Sequence, residues 1–117
     1  VDAVDDIAKR LLRVQIENRP AVDLIRLYDD KGTLFYCDPP YMHETRGDAK
    51  AYGFDMNTDQ HWELAETLAL CKGKAAVSGY RCDAMDTWYK GWQRYDAPAK
   101  MIHSTKQLRH ECLWMNY

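Results

Sequence analysis

Long apolar runs are missing from this 117-residue chain: stretches such as Leu34 to Cys37 and Leu68 to Cys71 reach four residues, and none is longer. A membrane-spanning helix needs roughly 20, so no such helix is expected. Cys37, Cys71, Cys82 and Cys112 include no CxxC pair and no neighbouring His doublet, which argues against zinc-ligand spacing and for reduced, structural thiols. The six glycines form no G-x-G, and there are no internal repeats or low-complexity tracts. A signal region is also lacking. The chain opens Val1-Asp2-Ala3 with no initiator Met and reads as a fragment of a longer cytosolic parent.

An excess of charge of one sign is lacking too, with 16 Lys and Arg against 18 Asp and Glu. The balance conceals an asymmetry. Residues 1–71 hold 8 basic against 14 acidic side chains, and residues 72–110 hold 8 against 3, a local excess of 8 − 3 = +5. That is enough to approach phosphates, or to be a solvated face balanced elsewhere in three dimensions. What is present, 46% hydrophobic and 29% charged residues, suits one globular domain with a core.

Local patterns predict the elements. Val1, Val4, Ala8, Leu11 and Leu12 form a helical stripe with acids at its start and Lys9, Arg10 and Arg13 at its end. Val14-Gln15-Ile16 alternates like a strand, after which Asn18 is the expected N-cap and Pro20 the first turn of a second helix, with Leu24, Ile25 and Tyr28 inward. Thr33 to Cys37, β-branched and aromatic, reads as a buried parallel strand closed by Asp38-Pro39-Pro40. Residues 42–57 read as a functional loop. Asn57 or Thr58 should cap a helix with Leu64, Ala65, Leu68, Ala69 and Cys71 inward and Gly73 as its stop. Lys74 to Ser78 is a strand, Asp83 to Lys90 a brief helix, and Trp92 to Ala97 with Glu111 to Tyr117 an antiparallel edge pair around a basic connection holding His103, Lys106, Arg109 and His110. Trp88, Trp92 and Trp114 read as core. This order implies an α/β sheet with helices on its faces, whose ligands bind beyond the carboxyl ends of the strands, after Cys37 and Ser78.

At the first of those ends stands Asp38-Pro39-Pro40-Tyr41. Two prolines stiffen the turn and remove two amide donors, leaving a surface of carbonyl acceptors. Asp38 adds a carboxylate and Tyr41 an aromatic face. Together they suit a planar ring bearing an exocyclic amino group, whose two hydrogens need two acceptors. Adenine is such a ring.

With this motif the chain resembles the Dam-type, adenine-specific DNA methyltransferases, which carry DPPY and use S-adenosylmethionine. The resemblance extends to Gln15 to Ala21, Thr33 to Tyr36, Ser78-Gly79-Tyr80 and Arg109 to Tyr117. It implies a partial Rossmann-like methyltransferase sheet spanning 1–117, the carboxyl-terminal catalytic part of an enzyme of DNA methylation such as a restriction-modification methylase. Double-stranded DNA is the implied partner, with a prokaryotic or phage origin and a cytoplasmic location. Asp38 and Pro39 would hold the amino group of a flipped adenine, Pro40 would stiffen the turn, Tyr41 would stack on the base, and Asp38 would also border S-adenosylmethionine. Tyr52 and Phe54, in the following loop, are candidates to close over the base or the DNA backbone. No metal is implied. Related enzymes acting on RNA bases or glutamine amides often have Asn at the position of Asp38, so Asp favours DNA adenine.

Other residues carry weaker expectations. His61 reads as a surface or capping residue, Tyr80 and Arg81 as possible site lining, and the Tyr41 hydroxyl as dispensable for stacking. The family's glycine-rich cofactor loop and target-recognition segment have no counterpart here and are expected in a missing amino-terminal part, whose loss should expose a sheet edge to self-association. The alternative is a non-catalytic nucleic-acid-binding or assembly module using the basic stretch from Lys72 to His110.

Overall fold

The computed structural model describes residues 2–42, 55–98, 100–102 and 107–117. Four strands make the main sheet: β1 (Leu34–Cys37), β2 (Lys74–Tyr80), β3 (Gln93–Asp96) and β6 (Glu111–Met115). They lie in the order β1-β2-β6-β3, and β4 (Lys100–Ile102) pairs with β5 (Gln107–Arg109) in a separate antiparallel hairpin. The helices are α1 (Asp2–Leu11), α2 (Ala21–Tyr28), α3 (Thr58–Ala69) and α4 (Asp83–Trp88). The result is a mixed α/β architecture.

The central strand is β2. Ala75, Ala76, Val77 and Ser78 are buried in succession, so both faces are covered at these positions, as a run of small residues around Val77 permits. β1 runs parallel to β2 in the register Leu34↔Lys74 to Cys37↔Val77. It is an edge strand among the described residues, not the buried central strand expected: Leu34 and Tyr36 are 59% and 66% exposed while Phe35 and Cys37 are half-buried. An apolar tetrapeptide reads alike at an edge or a centre, and only a second neighbour distinguishes them. β6 is antiparallel to both β2 and β3. It is interior, so the expected edge pair is one edge strand, β3, laid on an inner one. Cys112 and Trp114 of β6 point into the core.

Three amino-terminal expectations fail, one being the inward place of Tyr28, which is 44% exposed while Ile25 is buried. Val14 to Ile16 forms no strand, since alternation without a partner gives no ladder, and Ile16 is 90% exposed. Pro20, not Asn18, is the N-cap of α2, its carbonyl accepting from the Asp23 and Leu24 amides. α1 forms as predicted but buries none of its residues.

α3 begins with a reciprocal capping box between Asn57 and Gln60. Leu64, Ala65 and Leu68 face inward against Ile25 of α2. Ala69 is exposed, and His61 and Thr67 take inward places instead, because the buried stripe is centred one residue earlier than the apolar letters suggest. The helix ends at Ala69 with Leu70 as its C-cap, so Gly73 is not its stop. Gly73 lies under the turn that leads into β1: a Cβ there would fall 2.7 Å from the Thr33 carbonyl oxygen and 2.9 Å from that of Asp30. Its amide and that of Lys72 donate to the Asp29 carboxylate. Met85, Tyr89 and Trp114 complete the same core, Trp114 lying opposite Val77 in the β2–β6 ladder, and Trp88 and Trp92 pack half-buried against it.

Candidate active site

The parallel register of β1 and β2 places residue 38 beside residue 78. The Ser78 hydroxyl donates to Asp38 Oδ1 at 2.7 Å and lies 3.4 Å from the Cys37 carbonyl oxygen. Ser78 is 7% exposed, whereas Asp38 is exposed. A buried hydroxyl thus aims an accessible carboxylate, leaving its other oxygen for a ligand. Pro39 and Pro40 follow half-buried, and their missing N–H groups leave only carbonyl acceptors in the turn.

Tyr41 turns back across the end of β2. Its hydroxyl donates to Glu111 Oε1 at 2.7 Å, and its ring meets Tyr80 edge to face, centroids 4.6 Å apart and planes at 79°. Burial and the bond to Glu111 push its pKa well above the ordinary tyrosine value, with the Ser78 hydroxyl acting in the opposite direction. The phenol is therefore neutral, and the hydroxyl expected to be dispensable has a carboxylate partner. Tyr80 and Glu111 are directly opposed in the β2–β6 ladder, which brings this pair to Tyr41.

Two spaces flank the motif. A cavity of about 10 Å³, room for one water at most, lies behind it between Pro39, Tyr41, His61, Ser78 and Tyr80. His61 is 2% exposed, which corrects the expectation of a surface or capping residue: the first turn of α3 packs its inner side against the motif. In front lies an open cleft of about 660 Å³ between α2, β1 and α3, walled by Pro20, Ile25, Tyr36, Pro40, Met56 and Leu64. Among the described residues its lining includes Asp38 and Glu63 and neither Lys nor Arg.

The other candidates separate. Arg81 turns to Asp86 at 3.2 Å, and Arg94 joins Asp86 and Asp96 at 2.8 Å each. Arg81 and Arg94 of the basic stretch are thereby committed to ion pairs. Tyr52, Phe54, His103 and Lys106 lie outside the described residues. None of the four cysteines forms a disulfide, and burial, with Cys71 nearby, raises Cys37 to about 11, so the thiol next to the motif is no thiolate nucleophile. Ser78 and Glu111 were missed as site residues. Their segments carry the family resemblance and Ser78 closes the second strand as the sequence reads it, but their contacts with Asp38 and Tyr41 could be read only from the strand register.

The family model described as D12 class N6 adenine-specific DNA methyltransferase matches residues 2–110. No curated protein matches the chain significantly.

Proposed function

This chain belongs to that family of adenine-specific DNA methyltransferases, and we propose that its Asp38-Pro39-Pro40-Tyr41 turn carries methyl transfer to the exocyclic amino group of an adenine flipped out of double-stranded DNA. The observation that carries the reading is a carboxylate held by Ser78 at the carboxyl end of β1, followed by two donor-free residues and an aromatic ring. S-adenosylmethionine, when bound, supplies a methyl carbon activated by a sulfonium. The open cleft fits one side of such a group, for among the described residues its wall is largely apolar and Asp38 stands at it without a cation.

The roles of the chain's own residues follow from chemistry. An adenine amino nitrogen shares its lone pair with the ring and is a weak nucleophile. Asp38 and the Pro39 carbonyl accept its two hydrogens and draw the nitrogen toward tetrahedral geometry, and the released proton leaves on the Asp38 side. Reaction then depends on alignment and on removal of positive charge, with no covalent enzyme intermediate. Flipping costs a few kcal/mol, and stacking on Tyr41 returns about 1–3 kcal/mol of it. Tyr52 and Phe54 would close over the base. The sheet is the catalytic part of a Rossmann-like methyltransferase fold, and the rest of the cofactor site and the target reader come from an amino-terminal part beyond these residues.

The test is transfer of labelled methyl from S-adenosylmethionine to adenine-containing duplex by the parent protein. Asp38→Ala should abolish transfer while duplex binding persists, since the carboxylate acts on the amino group and not on phosphates. Transfer within about twofold of the parent would refute the role, that being less than one hydrogen bond is worth.

A further inference from the structure

Glu111 is one residue beyond the span the family model matches, two strands away from the motif, and yet it holds the motif's last side chain. The geometry is built by the ladder. β6 starts opposite the end of β2, so Glu111 faces Tyr80, and Tyr41 reaches across that end to place its hydroxyl 2.7 Å from Glu111 Oε1. The Tyr80 ring supports the Tyr41 ring edge to face on the same side. A tyrosine fixed only at its backbone can rotate about two side-chain bonds. Here one end is set by the rigid Pro-Pro turn and the other by a charge-assisted hydrogen bond, the stronger kind.

We propose that Glu111 is a positioning residue for methyl transfer: its carboxylate fixes the plane of the Tyr41 ring on which the flipped base stacks. This rests on the function proposed above and adds to it a residue that touches neither substrate nor cofactor. The Tyr41 hydroxyl, which also neighbours the Ser78 hydroxyl, then matters chiefly through its bond to Glu111. A ring released from its tether still offers a face, but each binding event must order it first.

The experiment is a double-mutant cycle in the parent methyltransferase, with kcat and KM for duplex DNA measured alongside the fluorescence of 2-aminopurine at the target position as a report of the flipped, stacked base. Glu111→Ala and Tyr41→Phe should each lower kcat/KM about tenfold, the worth of one hydrogen bond to a charged group. The double variant should lose the same tenfold and not the product of the two. Glu111→Gln, whose amide oxygen still accepts, should stay within about threefold of the parent. The single variants should alter the 2-aminopurine signal, while binding to duplex without a target adenine stays unchanged.

Glu111→Ala within twofold of the parent, losses that multiply to about a hundredfold, or Gln performing no better than Ala would each overturn the proposal. Should Glu111→Ala fail to fold, Tyr41→Phe and Glu111→Gln decide: a tenfold loss in the first with retention in the second supports it, and a fully active Tyr41→Phe overturns it. A parent that methylates no adenine at all overturns the functional reading itself, an outcome distinct from an active enzyme indifferent to Glu111.

Discussion

Asp38 owes its orientation to a neighbour 40 positions away in sequence, the buried Ser78 hydroxyl at 2.7 Å. Two variants separate charge from aim. Asp38→Asn keeps the shape but loses the charge-assisted acceptor, and activity of the parent enzyme should fall below about a tenth. Ser78→Ala keeps the charge and frees the carboxylate, which should cost about tenfold in kcat, the worth of one hydrogen bond to a charged group. Steady-state methylation checks both, and a Ser78→Ala loss larger than that of Asp38→Asn would place the essential group on Ser78. A second expectation concerns the thiols. Burial, with Cys71 nearby, lifts Cys37 to about 11, and burial with the Asp96 contact lifts Cys112 to about 12. At pH 8 about one Cys37 in a thousand is thiolate, against about a quarter of ordinary cysteines, so iodoacetamide should alkylate the folded protein about a hundredfold more slowly at this site than the unfolded chain. Both folded-state values lie above the unfolded value, so the associated stability is intact below pH 9 and is lost as pH rises through 11 to 12. Urea midpoints at pH 8 and pH 10.5 should show that fall.

At the level of elements, two joints hold the motif's frame, and they differ in kind. The Asn57–Gln60 box starts α3, whose first turn carries His61 to the back of the motif. Asn57→Ala should lower the unfolding free energy by about 1 kcal/mol, the usual loss of a cap. Gly73 joins β2 to the turn before β1, and the methyl of Gly73→Ala would press on two backbone carbonyl oxygens that no rotamer change can move. That substitution should cost more, about 1–3 kcal/mol, and denaturant unfolding of both variants checks the order. The reverse order would show that the β1 turn yields where the structure has it packed tight. Asn116 reinforces the same joint, its side chain accepting from the Ala75 amide and donating to the Gly73 carbonyl.

For the whole molecule the open flank is decisive. The cleft beside β1 is bounded on one side by α2 and α3, one face of β1 presents Leu34 and Tyr36 to solvent, and its outer edge has no strand partner among the described residues. Ligand sites bury about 70–90% of a small molecule, and these 117 residues contain no G-x-G loop to cover the rest. The isolated chain should therefore transfer no methyl group and bind S-adenosylmethionine only weakly. It should also self-associate with rising concentration through the β1 edge. Calorimetry and sedimentation check this pair, and micromolar or tighter cofactor binding by the isolated chain would show that the pocket is complete without further residues.

The letters Asp38-Pro39-Pro40-Tyr41 after an apolar run sufficed to place a carboxylate, rigid acceptors and a ring at a strand end, because proline and side-chain chemistry act over a few residues. The helices α3 and α4 and the strand β2 were legible for the same reason: caps, periodicity and β-branching are local. The rank of β1 in the sheet, the inward turn of His61, the loss of the Val14 to Ile16 strand and the joining of Asp38 to Ser78 and Tyr41 to Glu111 were not. Each depends on which segments become neighbours, and a contact across 40 or 70 positions is set by strand register and packing, to which no short stretch of sequence is sensitive.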